Sequence, residues 1–147
     1  MKISNLLSKQ QVISSWEGYE IVPNIQYVTQ GFVKYFNPNQ KFNVGKTFDW
    51  VVSFGMDENV SCGIEHIYVD NLISHAKEGL IFSLGEKSQM KGSLQDCLIK
   101  PSFLVKKLEK ENWRRDKESE EVLIEKIKDD YWEQNLLIFR KIKDISR

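Results

Sequence analysis

Three of the chain's four histidines and cysteines fall close together, Cys62, His66 and His75, with Cys97 further on. A cysteine and a histidine four residues apart share one face of a helix, where a single ion can bridge them. Residues 60–69, however, are rich in strand formers. In an extended strand, positions four apart lie about 13 Å from each other. Zinc holds its nitrogen and sulfur ligands at about 2.0–2.3 Å, so Cys62 and His66 are not expected to share a metal. The sequence contains no P-loop, no G-x-G-x-x-G, no G-x-S-x-G and no H-E-x-x-H, the patterns that cradle phosphates, expose a nucleophile or hold catalytic zinc. No metal, no cofactor and no catalytic set is assigned. Two cysteines in a chain of this length do not form a disulfide framework, and they read as reduced thiols in a cytoplasm.

Acid–base chemistry has one candidate pairing. Thr47–Phe54 and Val60–Val69 are both rich in strand formers, with Gly55-Met56-Asp57-Glu58-Asn59 between them as a turn. A hairpin symmetric about Asp57 and Glu58 sets Asp49 opposite His66, where the carboxylate supports an imidazolium. Asp49 and Glu65 are the carboxylates a metal-dependent nuclease would need, but Glu65-His66-Ile67 is not an E-x-K triplet and the symmetric register turns the two acids to opposite faces. A small hydrolase or nuclease using Asp49, Glu65 and His66 is therefore the alternative function. A second alternative is a nucleic-acid-associated regulator using Lys106, Lys107, Trp113, Arg114 and Arg115. Glu109, Glu111, Asp116, Glu118, Glu120 and Glu121 interleave with those cations, the pattern of a solvated, ion-paired helix face. Direct nucleic-acid binding is not expected.

Charge carries the positive argument. Over 147 residues, 21 basic and 21 acidic side chains cancel, which removes the simplest case for a nucleic-acid or anionic-membrane partner. The cancellation hides a layout. Thr47 to Ala76 contains no lysine or arginine, and holds Asp49, Asp57, Glu58, Glu65 and Asp70. Lys2, Lys9, Lys34, Lys41 and Lys46 precede it. Carboxylates gathered on one element steer a cationic protein and fix its register, and aromatic side chains anchor such interfaces. Asp49, Trp50, Asp57, Glu58, Glu65, Tyr68 and Asp70 are the expected partner-binding residues.

The elements that must position them are an α+β arrangement. Leu6, Leu7, Val12 and Ile13 suggest a short helix over 4–15. Trp16–Val22 suggests a strand ended by Pro23. Asn24 is placed to cap a helix carrying the stripe Ile25, Val28, Phe32, Val33 and Phe36. Strands are expected at Gly79–Gly85 and Met90–Ile99, and a helix from Pro101 through Leu104 and Leu108. A last helix carries Leu123, Ile127, Tyr131, Ile138, Ile142 and Ile145, although Leu136–Ile142 also suits a strand. Its wide apolar arc is to be buried within the domain or in a homodimer through that helix.

With 41% hydrophobic and 12% aromatic residues, a chain of this length builds a core without staples. The expected fold is one domain over 1–147: a helical lead-in at 1–46, a small antiparallel sheet of four to five strands at 47–100, and one or two C-terminal helices at 101–147. No signal peptide and no stretch long enough to span a membrane is read. The function expected is a small cytoplasmic protein-binding domain, an immunity- or antitoxin-like inhibitor of a basic protein such as a nuclease toxin.

Overall fold

The computed structural model describes residues 13–85, 98–127 and 135–143. The chain is α+β and divides into two compact units, Met1–Asn37 and Pro38–Arg147, where the sequence suggests one domain. The helix expected over 4–15 falls largely outside the described residues, and 13–15 are not helical.

In the first unit the strand before Pro23 forms as β1 (Gly18–Glu20) and pairs in parallel with β2 (Val33–Tyr35). The helix expected to run from Ile25 to Phe36 is a single turn, α1 (Ile25–Val28). It stops because Gln30 and Gly31 both take positive φ, 53° and 82°, a conformation glycine adopts without penalty. Thr29 Oγ1 then donates to the Ile25 carbonyl and accepts from the Val33 N–H. That one hydroxyl joins the end of α1 to the start of β2. Phe32 packs edge-to-face on Trp16, with ring centroids 4.6 Å apart.

The second unit opens with β3 (Phe48–Phe54), a 3-10 turn (Met56–Asn59), α2 (Glu65–His75) and β4 (Ala76–Ser83). The expected hairpin does not form. Residues 65–69 are helical, and β3 pairs in parallel with β4, Trp50 opposite Gly79 and Phe54 opposite Ser83. Strand-forming composition loses to periodicity here. Tyr68, Asn71, Leu72 and His75 recur at helical spacing and face the core, and tertiary burial overrides β-propensity. Because α2 leads directly into β4, it must run back from the carboxyl end of the sheet to its amino end, as a parallel crossover requires.

α3 (Pro101–Glu109), β5 (Trp113–Arg115), α4 (Lys117–Ile127) and β6 (Leu136–Lys141) complete the unit. The four-stranded sheet has the order β3-β4-β6-β5. β6 is antiparallel to both neighbours, so the sheet is mixed rather than wholly antiparallel. Pro101 opens α3 as expected, and Leu104 and Leu108 are fully buried. Trp113 opens the strand β5 and is buried. Leu136–Phe139 form an inner strand with all four side chains buried, which is why the run is apolar without alternation. Of the expected apolar arc, Ile138 is buried in β6, whereas Ile127 and Ile142 are exposed and Tyr131 and Ile145 lie outside the described residues. The expected strand at Met90–Ile99 falls outside the described residues except Leu98 and Ile99.

The core lies where α2 and α3 cover one face of the sheet: Tyr68, Val69, Leu80, Phe82, Leu104, Leu108, Trp113, Leu137 and Phe139. Lys107 joins the two helices, 2.6 Å from Asp70 and 3.2 Å from Glu111. Burial alone would lower its pKa, but hydrogen bonds and attraction from both acids outweigh that and raise it. A strap ahead of β3 is stitched down by side chains. Asn71 accepts from the Phe42 N–H and donates to the Gln40 carbonyl. His75 Nε2 accepts from the Val44 N–H at 3.1 Å while Nδ1 lies 2.6 Å from the Asn71 carbonyl. Those contacts require the neutral ring with its proton on Nδ1.

β5 is shorter than β6, and a side chain completes the ladder. Asp116 N–H donates to the Ile138 carbonyl, after which the chain turns into α4. The Ile138 N–H is then met by Glu120 Oε1 at 2.9 Å. Glu120 is buried and also takes three hydrogen bonds' worth of the Arg115 guanidinium, at 2.9, 2.9 and 3.3 Å. Glu120→Ala leaves the buried Ile138 N–H without its acceptor, so we expect a loss of about 1–3 kcal/mol, the range for an unsatisfied buried group. Glu120→Gln, which keeps one acceptor, should lose clearly less. Urea unfolding of the two variants checks this, and equal losses would refute the role of the hydrogen bond to Ile138.

Candidate functional site

The cation-free stretch becomes one continuous strand–turn–helix unit, and its chemistry gathers at the carboxyl ends of β3 and β4. Gly55 leaves β3 with φ +56° while its N–H still donates to the Ser83 carbonyl at 2.8 Å. The 3-10 turn that follows points Asp57 inward, where it is 3% exposed. Its carboxyl accepts the Gly85 N–H, 2.9 Å from Oδ1 and 3.2 Å from Oδ2. Burial pushes Asp57 up to about 6, against the lowering effect of hydrogen bonds from Gly85 and from its own turn. Glu58 lies over Gly85, and a β-carbon at 85 would collide with its carboxylate. Deeper in, the Ser53 and Tyr68 hydroxyls are hydrogen-bonded to each other, and burial raises the Tyr68 phenol well above its ordinary range. Glu65 opens α2 at the same end and accepts the Gly63 N–H at 3.0 Å.

The structure divides the seven expected partner-binding residues. Asp57 and Tyr68, at 3% and 1% exposure, cannot touch a partner. Asp49 sits at an irregularity in the pairing near the amino end of β3 and forms an ion pair with Lys77 at 3.3 Å. Asp70 is held by Lys107. Trp50 lies flat over Gly79, where any β-carbon would meet the indole, and the Arg140 guanidinium stands 4.9 Å from its ring. Glu58 and Glu65 remain together at the carboxyl end. So two of the five negative charges of the stretch, Asp49 and Asp70, are answered by lysines within the fold.

The chemical alternatives are also separated. His66 is exposed on α2 and is not opposite Asp49, because the neighbour of β3 is β4. Asp49 belongs to the amino end of β3, whereas Glu65 and His66 begin α2 at the other end. Among the described residues no three histidine, cysteine or acidic side chains gather to hold a metal. Of the cationic set, Trp113 is 1% exposed and belongs to the core. Lys107 and Arg115 are engaged by acids, leaving Lys106 and Arg114 exposed on separate elements. Cys62 corrects the expectation of a reduced, buried thiol: it is exposed and disulfide-bonded. The chain's other cysteine, Cys97, lies outside the described residues.

Two concavities occur elsewhere. One of about 370 Å³ is lined by Arg114, Arg115, Asp116, Lys117, Glu118 and Arg140. Its Asp116 carboxylate is committed: it caps α4 through the Ser119 N–H and hydroxyl and binds Arg140. Those bonds, Arg140 foremost, hold Asp116 down to about 2. The other, about 490 Å³, is an open groove along α3. Neither contains Asp49, Glu65 or His66. Among the described residues no helix is long and apolar enough to cross a membrane.

Comparison with protein-family models, characterised proteins and solved structures found no match to the chain. Its function has to be read from its own residues.

Asp57 gives a pH signature. Its folded pKa, about 6, stands above the ordinary 3.8, so the fold favours the neutral acid. That contribution is complete below about pH 4 and is lost as pH rises through about 6. Asp57→Asn fixes a neutral group that still accepts from Gly85. We expect it to match the native chain near pH 4 and to exceed it by about 3 kcal/mol above pH 7. Urea midpoints across that range test the point, and a variant weaker than the native chain at high pH would overturn it.

Proposed function

We propose that this chain is a protein-binding domain that holds a basic protein partner at the carboxyl end of β3 and the amino end of α2. In that role it serves as an immunity- or antitoxin-like inhibitor of a basic protein such as a nuclease toxin. The observation carrying this reading is the distribution of compensation. Asp49 and Asp70 each have a lysine, while Glu58 and Glu65 share one end with the buried carboxyl of Asp57 and have no cation among their described contacts. At neutral pH, above its value of about 6, Asp57 adds its own negative charge from beneath. Unanswered charge of one sign on a rigid element accelerates encounter with an oppositely charged protein and selects against acidic ones.

A basic partner of this kind is inhibited by occupation, and occupation needs no catalytic group. The compartment follows Cys62. Disulfides persist in oxidising surroundings, so the disulfide at Cys62 favours an exported or periplasmic station over the cytoplasmic one the composition suggests.

The decisive experiment immobilises the native chain and a variant carrying Glu58→Lys and Glu65→Gln, and captures proteins from the source cells at low salt. The expected result is a basic protein retained by the native chain and lost from the variant, with retention falling as salt is raised. The same proteins on both supports, or an acidic partner, would refute this site.

A further inference from the structure

We infer that the concavity lined by residues of β5, β6 and the start of α4 binds a phosphate monoester, a small phosphorylated molecule held by Arg114, Arg140 and Lys117. The space is about 370 Å³, and four of its six lining residues are cationic: Arg114, Arg115, Lys117 and Arg140. Small-molecule sites begin at about 300 Å³. It lies toward the end of the sheet where Gly79 pairs with Arg140, away from Glu58 and Glu65. The inference is therefore independent of the acidic end described above.

The cations differ in how far they are answered. Arg115 is taken up by Glu120. Arg140 Nε donates to Asp116, and its Nη2 stands 3.4 Å from Ser119 Oγ. The side chains of Arg114 and Lys117 are exposed and have no ion pair or hydrogen bond among the described residues. β5 sets Arg114 directly opposite Arg140, so both side chains leave the same face, with Cβ atoms about 4.5–5.5 Å apart. Like charges so placed oppose strand pairing, and Asp116 answers only one of the two. A bound anion answers both. Guanidinium groups offer planar forks of N–H donors that match phosphate oxygens two at a time.

The number and direction of the donors favour phosphate over carboxylate. A carboxylate has two oxygens in one plane, and Arg140 already holds one such group in Asp116. The donors left over come from β5, from β6 and from the first residue of α4, three origins that suit the three terminal oxygens of a phosphate ester. The volume leaves room for the body of the ester beside its phosphate. A nucleic acid would need several phosphates neutralised in succession, whereas Asp116 and Glu118 share this lining and Lys106 lines a different groove. Glu118 forms no ion pair with Arg114 or Lys117, so its charge opposes the ligand's.

Isothermal titration of the native chain with phenyl phosphate should show saturable binding with Kd below about 1 mM. Acetate should bind at least about tenfold more weakly. Arg114→Gln should weaken phenyl phosphate at least about tenfold, while its melting temperature holds or rises, because a like-charged neighbour is gone. Glu118→Gln should tighten the same ligand, and Lys106→Gln should leave it unchanged. Arginine Nε–H resonances of Arg114 and Arg140 should shift together as the site fills. No saturable binding, an affinity unmoved by Arg114→Gln, or acetate bound equally well would overturn the site. Inorganic phosphate, a phosphoserine peptide or a single-stranded oligonucleotide bound as tightly as phenyl phosphate would overturn its assignment to a small monoester.

Discussion

The larger unit depends on the pairing of β4 with β6. These are the two inner strands, matched from Gly79 with Arg140 to Ser83 with Leu136. Everything N-terminal to β4 reaches the sheet through the parallel β3–α2–β4 crossover, and everything C-terminal reaches it through β6. Leu80 and Phe82 face the helices together with Leu137 and Phe139, and Phe82 meets Phe139 edge-to-face at 6.0 Å. A register slip of one residue would turn this set to the opposite face. The burial of Leu80, Phe82, Leu137 and Phe139 against the helices is what specifies the register.

Polar side chains finish what these strands leave open. β5 covers only part of β6, and Glu120 takes the next backbone donor while Arg115 neutralises it. On the opposite face, Trp50, Gly79, Arg140 and Asp116 form a line across the sheet. Gly79 has no side chain, so the indole can lie on the strand and reach the guanidinium. Arg114 pairs directly across from Arg140, a like-charged neighbour that would oppose β5 pairing. Asp116 offsets this by binding Arg140 and capping α4 at once. One carboxylate thus ties a helix terminus to a strand pair.

Much of this was legible where a local signal agreed with its surroundings. Pro101 marks the start of α3, and Leu104 and Leu108 lie on its buried face. Gly79 to Gly85 reads as strand, and the α+β class follows from the mixture. The failures have physical causes. Gly31 sits inside a helical stripe, and its left-handed conformation ends α1 after one turn. Residues 60–69 have strand composition but helical spacing, and burial of Tyr68 and Val69 decides for the helix. That single reversal dissolves the pairing of Asp49 with His66. It also moves Glu65 to the far end of the sheet. The roles of Glu120 and Asn71 had no local signature, because each satisfies backbone groups 18 to 31 residues away.

The acidic run shows why a charge pattern in sequence is only half an argument. Its members could have formed one patch; folding instead sends Asp49 to Lys77 and Asp70 to Lys107, both cations from beyond the run. What survives is concentrated at one end, and it includes a carboxyl group buried without a cation. A buried, raised Asp57 subtracts stability at neutral pH, in a fold that pairs Asp49, Asp70, Asp116 and Glu120 with cations. Gly85 must also remain bare to admit Glu58 above it. Departures of this kind, where stability is given up at one place and respected around it, are characteristic of sites kept for something other than folding.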